Sequence, residues 1–189
     1  MKVPINTMVN RHSKWYVFFV FYLIMYNAFA QDTNKTNLES NISFHIRSFG
    51  IDVDGSFQES AIQLEMDSLS VSPAYLKVKI PVSSIETGIS KRDRHLLEEK
   101  YFWQSKYPYM LFETSSIKNS GDDAYVAVGQ VNIKGVLKTM SIPFQMISGE
   151  KETVVHADFE LNRLDFDIGG KSWTMSETVK ITVSFSFKN

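Results

Sequence analysis

The sequence predicts an all-β fold, in which a single antiparallel sheet forms a barrel or a sandwich and one short helix lies between two strands. Apolar and polar residues alternate in several runs along the chain, short turn signals separate these runs, and only one segment has helical spacing. A period of two is typical of strands with one apolar and one solvated face, and such strands form antiparallel sheets.

Six segments carry the alternation most clearly, and each predicts one strand. Turn signals lie between them at Asp54-Gly55, Ser72-Pro73, 119–122, Lys134-Gly135, 148–150 and Gly169-Gly170. The predicted helix runs from Lys91 to about Trp103, where Leu96, Leu97 and Tyr101 share one side. The inward phases of the strands are Ile42, Phe44, Ile46; Ile62, Leu64, Met66; Leu76, Val78, Ile80; Ile142, Phe144, Met146; Val155, Ala157, Phe159, Leu161; and Val179, Ile181, Val183, Phe185, Phe187.

The N-terminal residues 1–30 predict a cleaved secretory signal peptide. Basic residues precede an apolar run from Trp15 to Tyr26, and Ala28-Phe29-Ala30 provides a small-x-small cleavage site, whether translation starts at Met1 or Met8. Residues 31–40 are polar and predict a flexible leader, and residues 41–189 predict one domain. We therefore expect a periplasmic or secreted protein with no transmembrane span after cleavage.

Composition and motifs argue against several classes of function. The chain has a net charge of −1 and no basic stripe, so nucleic acid is not an expected partner. It has no cysteine, and its histidines do not stand at metal-ligand spacing, so neither a disulfide framework nor a metal site is expected. No nucleophile motif is present. These observations favour a protein that is not an enzyme.

Arg92, Asp93 and His95 form the most distinctive polar cluster and allow two interpretations. In the first, the cluster is structural: Asp93 caps the helix or accepts hydrogen bonds from an arginine or from His95. In the second, the cluster forms a polar mouth that holds a ligand head group, because a guanidinium can bind two oxygens of an anion.

Four segments resemble sequence motifs of the YceI family. Residues 84–96 match S-I-x-T-G-x-x-x-R-D-x-H-L, and residues 107–112 match Y-P-x-[ILM]-x-F. Residues 129–138 are similar to the family's G-x-L-x-[IL]-x-G-V-x-[KR] hairpin, and residues 162–166 match its N-R-x-D-F. The chain departs from the family at Tyr101-Phe102-Trp103, where Phe-Phe-Asp is common, and this change affects the expected ligand more than the expected fold.

The resemblance implies a lipocalin-like β-barrel that binds a polyisoprenoid or isoprenoid-quinone-like lipid, for storage or transport in the cell envelope, without a further cofactor. It also implies a homodimer as the assembly to expect. The competing interpretations are that the inward side chains simply fill a core, or that Arg92, Asp93 and His95 serve a stress-response or enzymatic role. On the lipid-binding interpretation, the residues expected to line the barrel are Phe44, Ile46, Ile62, Leu64, Leu76, Val78, Phe102, Met110, Phe112, Ile133, Phe144, Met146, Phe159, Phe166, Val183 and Phe185.

Overall fold

The computed structural model of the protein describes Leu38 and residues 40–67 and 72–188. These residues form one α-helix and a sheet of ten strands, with two short 3-10 turns at Val82–Ser84 and Arg163–Phe166. The strands are β1 (Ser40–Ser48), β2 (Ile51–Phe57), β3 (Ala61–Asp67), β4 (Ser72–Pro81), β5 (Ile85–Glu86), β6 (Tyr109–Gly121), β7 (Ala124–Ile133), β8 (Val136–Ser148), β9 (Glu152–Asn162) and β10 (Thr178–Lys188), and the helix α1 spans Ser90–Leu96.

The strand pairing closes the sheet into a barrel. Phe57 of β2 pairs with Ile85 of β5, the Gln58 amide donates to the Ser84 carbonyl oxygen at 2.9 Å, and Ala61 of β3 then pairs with Lys79 of β4. Thus β2 and β3 form one bent strand and β4 and β5 form a second, and the two bent strands pair with each other on both sides of the bend. Counted this way, eight antiparallel strands follow one another around a ring, and β1 closes the ring against β10. Closure removes most of the exposed edges that an open sheet would present.

The two ends of the barrel are built differently. We call the end that carries the β6–β7 turn and the β8–β9 turn the closed end. The opposite end, which we call the helix end, carries the β1–β2 turn at Phe49-Gly50, the segment 87–108 that contains α1, and the connection 163–177 between β9 and β10.

Strands β8 and β9 pair only near the closed end. Their register runs from Ser148↔Thr153 to Gln145↔His156, whereas β9 continues to pair with β10 as far as Asn162. From Gln145 towards the helix end, β8 pairs with β7 alone. The barrel wall is therefore not continuous between β8 and β9 towards the helix end.

The predicted barrel with one short helix between strands is confirmed, but some local predictions are wrong. The helix ends at Leu96 rather than near Trp103, because residues 97–107 fold back in successive turns; the Phe102 amide donates to the Leu96 carbonyl oxygen at 3.0 Å. Asp54-Gly55 lies inside β2 rather than in a turn. A Cβ atom on Gly55 would lie 2.3 Å from Cζ of Phe44, so the glycine makes room for that ring.

The predicted turn at Ser72-Pro73 is also a strand, because both residues begin β4. The predicted signal peptide (1–30) and most of the predicted leader (31–40) lie outside the described residues, although Ser40 already belongs to β1. No helix within the described ranges is both long enough and apolar enough to cross a membrane.

Candidate functional site

The helix end of the barrel encloses a cavity of about 550 Å³. Its wall is almost entirely apolar, and its polar lining groups lie towards the mouth, on β1, on segment 87–95 and at the start of the β9–β10 connection. The wall residues are Ile42, Phe44, Ile46, Ser48, Phe49, Ile51, Val53, Phe57, Leu76, Val78, Ile80, Ile85, Thr87, Arg92, His95, Leu96, Tyr101, Phe102, Met110, Leu111, Phe112, Val131, Ile133, Ile142, Val155, Ala157, Phe159, Leu161, Arg163, Ile168, Met175, Val179, Ile181, Val183 and Phe185.

Three aromatic rings form one side of the cavity. The Phe57 ring lies between those of Phe44 and Phe102, with centroid distances of 5.7 Å and 6.2 Å, and it meets Phe102 edge-on at 87°. Phe102 belongs to the segment that follows α1, so this contact fixes the helical segment to the barrel wall. Edge-to-face rings gain a small attraction beyond their buried area.

Most of the side chains that the sequence predicts as lining do lie on this wall, but five do not. Ile62, Leu64, Phe144 and Met146 pack into the core nearer the closed end, where the Phe144 ring stacks on Tyr125 at a centroid distance of 5.4 Å. The cavity stops between Ile142, which lines it, and Phe144, which does not. Phe166 is buried in the 3-10 turn at the helix end, away from the wall.

The predicted polar cluster is held together by Thr87 rather than by contacts among its own members. Arg92 donates from Nε to Thr87 Oγ1 at 2.7 Å and from Nη2 to the Thr87 carbonyl oxygen at 2.5 Å. Asp93 Oδ1 accepts from the Thr87 amide at 3.0 Å and from the Thr87 hydroxyl. The expectation that Asp93 caps the helix is wrong, because the N-cap residue is Ile89 and no side chain caps it.

His95 lies at the edge of the same mouth. Its Nδ1 lies 2.7 Å from Glu98 Oε2, and its ring meets Tyr101 edge-on with the centroids 5.0 Å apart. Arg92 and His95 both reach the cavity wall, whereas Asp93 does not. The structure thus brings two of the three predicted cluster residues, Arg92 and His95, to the cavity wall at the mouth.

Arg163 is a buried cation at the helix end that sequence reasoning did not single out. Its side chain is 1% exposed and donates to the carbonyl oxygens of Ile168 and Gly170 at 2.6 Å each, and of Ser176 at 2.8 Å. Burial lowers its pKa, because desolvation disfavours the charged form. One guanidinium thereby holds the β9–β10 connection over the barrel opening.

The other described groups with clearly shifted pKa values lie away from the cavity wall. Burial, together with a hydrogen bond to Glu113, raises the pKa of Tyr75 to about 12. The same bond, followed by one from Lys77, lowers the pKa of Glu113. Hydrogen bonds from Thr182 and then His156 lower the pKa of Asp158. Across the described part of the chain, no group of three or more His, Cys, Asp or Glu side chains could hold a metal ion.

An eight-stranded antiparallel barrel that encloses an apolar cavity and has a polar mouth defines the class of this protein: it is a β-barrel built around a ligand-sized interior. The YceI-like domain family matches residues 34–187, so the chain belongs to that family.

Curated relatives and solved structures agree with this assignment. The chain is 24% identical over 158 residues to Protein YceI of Escherichia coli O17:K52:H18, covering 80% of this chain and 82% of the relative. It is 26% identical to a UPF0312 protein of Ectopseudomonas mendocina, with coverage of 80% and 83%. BcnA of Burkholderia cenocepacia superposes with a TM-score of 0.73 at 20% identity, covering 79% of this chain and 96% of BcnA.

A further solved structure with the same fold is a polyisoprenoid binding domain from Saccharophagus degradans, implicated in plant cell wall breakdown. It superposes with a TM-score of 0.60 at 12% identity and covers 80% of this chain and 96% of that domain. At these identities the structural likeness establishes the shared fold.

Several wall residues were absent from the predicted lining set. Buried examples on the wall are Phe57, Val131, Val155 and Ala157. Only the last two lie in a run in which the sequence predicts inward side chains. Arg163 could have been found from its position, since a charged residue directly after a predicted inward strand must either leave the core or find several acceptors there.

Proposed function

We propose that the protein binds a long apolar lipid of the isoprenoid type in the helix-end cavity, without catalysis. The observation that carries this proposal is the cavity itself: about 550 Å³ with an almost wholly apolar wall and an open mouth. Small-molecule sites commonly enclose about 300–1,000 Å³. The polyisoprenoid binding activity named for the Saccharophagus degradans domain supports the same class of ligand.

The wall chemistry favours a hydrocarbon chain over a compact polar ligand. Aromatic and branched side chains from every described strand except β3 face the space, and each buried methylene contributes about 0.8 kcal/mol. An unfilled apolar space also lacks the dispersion contacts that a ligand chain would supply. A flexible hydrocarbon tail satisfies both conditions, because it can follow an irregular cavity.

The head group of the lipid would remain at the mouth. Arg92, Thr87 and His95 lie on the wall there, whereas the polar groups available deeper in the barrel are few. The Arg92 guanidinium already binds Thr87 at two points, which holds its charge at the opening. This arrangement supports a polar or anionic head group and gives Asp93 a structural role in holding segment 87–93.

Storage or transport in the cell envelope is the setting that we propose for this binding. The N-terminal charged, apolar and small-x-small order of residues 1–30 supports export with cleavage after Ala30. A water-insoluble lipid needs a carrier wherever it must leave a membrane, so an exported apolar barrel suits that compartment.

The test is to purify the protein from the envelope of its host without detergent and to identify bound lipids by organic extraction and mass spectrometry. Wild-type protein should yield a reproducible isoprenoid-type lipid. Two neighbouring substitutions on β10 provide the comparison. Ile181→Gln places an amide on the wall and should deplete the lipid, because burying an unpaired amide is unfavourable. Lys180→Gln changes an exposed neighbour and should retain it.

Wild-type protein that is repeatedly empty, or Ile181→Gln protein that retains as much lipid as Lys180→Gln, would contradict the proposal. Folding of both variants is checked by circular dichroism, so that loss of lipid is not confused with loss of structure.

A further inference from the structure

Large apolar side chains stand exposed around the mouth of the cavity. Phe49 is 76% exposed and Trp173 is fully exposed, at 106% of its reference area, and Ile51 and Ile89 are also exposed. The Phe49 amide donates to the Thr174 carbonyl oxygen at 2.5 Å, which holds the β1–β2 turn beside the loop that carries Trp173. We call Phe49, Ile51 and Trp173 the rim.

The backbone conformation of Phe49 is unfavourable for a bulky side chain. Phe49 and Gly50 have φ angles of 53° and 73°, the left-handed pair that a two-residue hairpin turn requires. Asn, Asp or Gly normally fills the first of these positions, and a bulky residue with positive φ is an outlier. Here the outlier ring is not buried within the chain. A strained and solvent-exposed aromatic residue indicates a role outside the fold itself.

The rim is continuous with the cavity. Phe49 and Ile51 line the wall on one side and are exposed on the other, so apolar surface runs without interruption from the barrel interior to the outside. Charged residues of both signs neighbour the rim in the sequence: Arg47, Asp52 and Lys171. A partner that fits this surface must be apolar and must not require a single sign of charge.

We propose that the rim docks on the surface of a lipid bilayer and inserts Phe49, Ile51 and Trp173 at its interface. Aromatic side chains, tryptophan above all, favour the region where acyl chains meet head groups. A bilayer is also the one partner that supplies both a cover for the rim and a lipid for the cavity behind it. The inference extends the proposed lipid binding, which gives the docking its purpose, but it is measured independently.

The experiment uses the exported protein with its N-terminus verified by mass spectrometry, and vesicles of zwitterionic phosphatidylcholine with brominated acyl chains. The exported protein has two tryptophans, Trp103 and Trp173. We expect bromine to quench the fluorescence of Trp173, so Trp103→Phe should retain the quenching and Trp173→Phe should lose most of it. Phe49→Asn and Trp173→Ser should each lower the vesicle partition coefficient about tenfold, the scale expected for one large apolar side chain. Phe49→Asn should not lower the urea midpoint of unfolding, because asparagine suits the turn.

The chain offers a matched control at the other end of the barrel. Ile147 and Val154 are a cross-strand pair near the closed end, exposed by 52% and 39%. The double substitution Ile147→Ser, Val154→Ser should leave vesicle binding within about twofold of wild type, because such side chains far from the rim do not enter the interface. Equal losses for rim and control variants, or unchanged binding in the rim variants, would overturn the proposal.

Two further readouts separate the alternatives. If wild type does not bind vesicles but forms a concentration-dependent dimer that Trp173→Ser dissociates, the rim is a contact between two copies and the bilayer proposal is wrong. Binding of a soluble fluorescent polyprenyl probe reports on the cavity alone, and Trp173→Ser should leave it unchanged, since Trp173 is not on the wall. A wild type that docks on vesicles yet never binds the probe would refute the proposed lipid binding and not the docking.

Discussion

The closed end and the helix end of the barrel carry the same kinds of inward side chain, yet the closed end is packed and the helix end contains the cavity. At the closed end, Phe144 stacks on Tyr125, one residue beyond the last β8–β9 register pair, Gln145↔His156. Towards the helix end those two strands no longer pair, and Phe159 faces a cavity instead of a neighbouring ring. The difference shows that residue type alone does not decide whether an inward aromatic side chain is packed or lines the cavity.

The covers of the two ends also differ in chemistry. Short turns suffice at the closed end, because paired strands bring the core side chains together. The helix end is covered by two longer segments, 87–108 and 163–177, which are held by polar contacts at Thr87 and Arg163. A cover held by a few directional bonds is compatible with an interior that is not itself packed.

The largest expected effect comes from deleting one aromatic ring at each end. Phe144→Ala should lower the free energy of unfolding by about 3–5 kcal/mol, because it leaves a cavity in packed core. Phe159→Ala should cost well below that range in lipid-free protein, since its ring already faces empty space. Urea unfolding of both variants measures the contrast, and equal costs would show that the two ends are packed alike.

Enlarging an alanine at each kind of position should give a smaller contrast of the same sign. Ala127→Phe adds a ring at a fully buried position away from the cavity wall and should cost about 1–3 kcal/mol or more through overpacking. Ala157→Phe directs the same ring into the cavity and should be tolerated better. Thermal unfolding of the two variants distinguishes these outcomes, and a greater loss for Ala157→Phe would indicate that the space is not available.

Removing the hydroxyl of Thr87 at the helix end should lower stability less than either change in packing. Thr87→Val keeps the side-chain shape but removes the hydroxyl that binds both Arg92 and Asp93. We expect a loss of about 1–2 kcal/mol, the scale for part-buried hydrogen bonds to charged groups. Thr139→Val, at an exposed position on β8, is the control and should change stability by less than about 0.5 kcal/mol. Similar losses for both variants would remove the special role of Thr87.

The smallest effect is expected on the outer face, where neither end is involved. Hydrogen bonds from Tyr75 and Lys77 hold the pKa of Glu113 below its ordinary value of 4.5. A carboxyl whose folded-state pKa is lowered stabilises the protein above its unfolded pKa, and this contribution is lost as the pH falls through the folded value. Wild type and Glu113→Gln should therefore converge in stability below pH 4.5; a constant difference across an acid series of unfolding curves would contradict the assignment.

Much of the fold could be predicted from the sequence, because period-two alternation reports directly which face of a strand is inward. Gly55 misled that analysis: Asp54-Gly55 has the composition of a turn, but the missing side chain serves the Phe44 ring across β1 and β2. The helix was overextended for a similar reason. Leu96, Leu97 and Tyr101 have helical spacing. The segment nevertheless folds onto the barrel mouth through backbone hydrogen bonds, such as the one that the Gln104 amide donates to the Leu97 carbonyl oxygen.

The site was only partly predictable, because alternation identifies inward residues but not the space they face. Ile142 and Phe144 are two positions apart in one inward row, and the cavity ends between them. The alternation is the same on both sides of that boundary, so no local pattern in the strand records it. Arg163 was missed for another reason: its acceptors are backbone carbonyl oxygens of the connection that follows it, and side-chain alternation does not report on these.

The most direct test of this account is the affinity of lipid-free protein for a fluorescent polyprenyl probe, measured for wild type, Ala157→Phe and the exposed control Lys180→Gln. If the helix-end cavity is the binding site, Ala157→Phe should weaken binding at least about tenfold, corresponding to about 1.4 kcal/mol, while remaining folded, and Lys180→Gln should bind as wild type does. Wild-type affinity in folded Ala157→Phe protein would place the lipid outside this cavity and contradict the central claim.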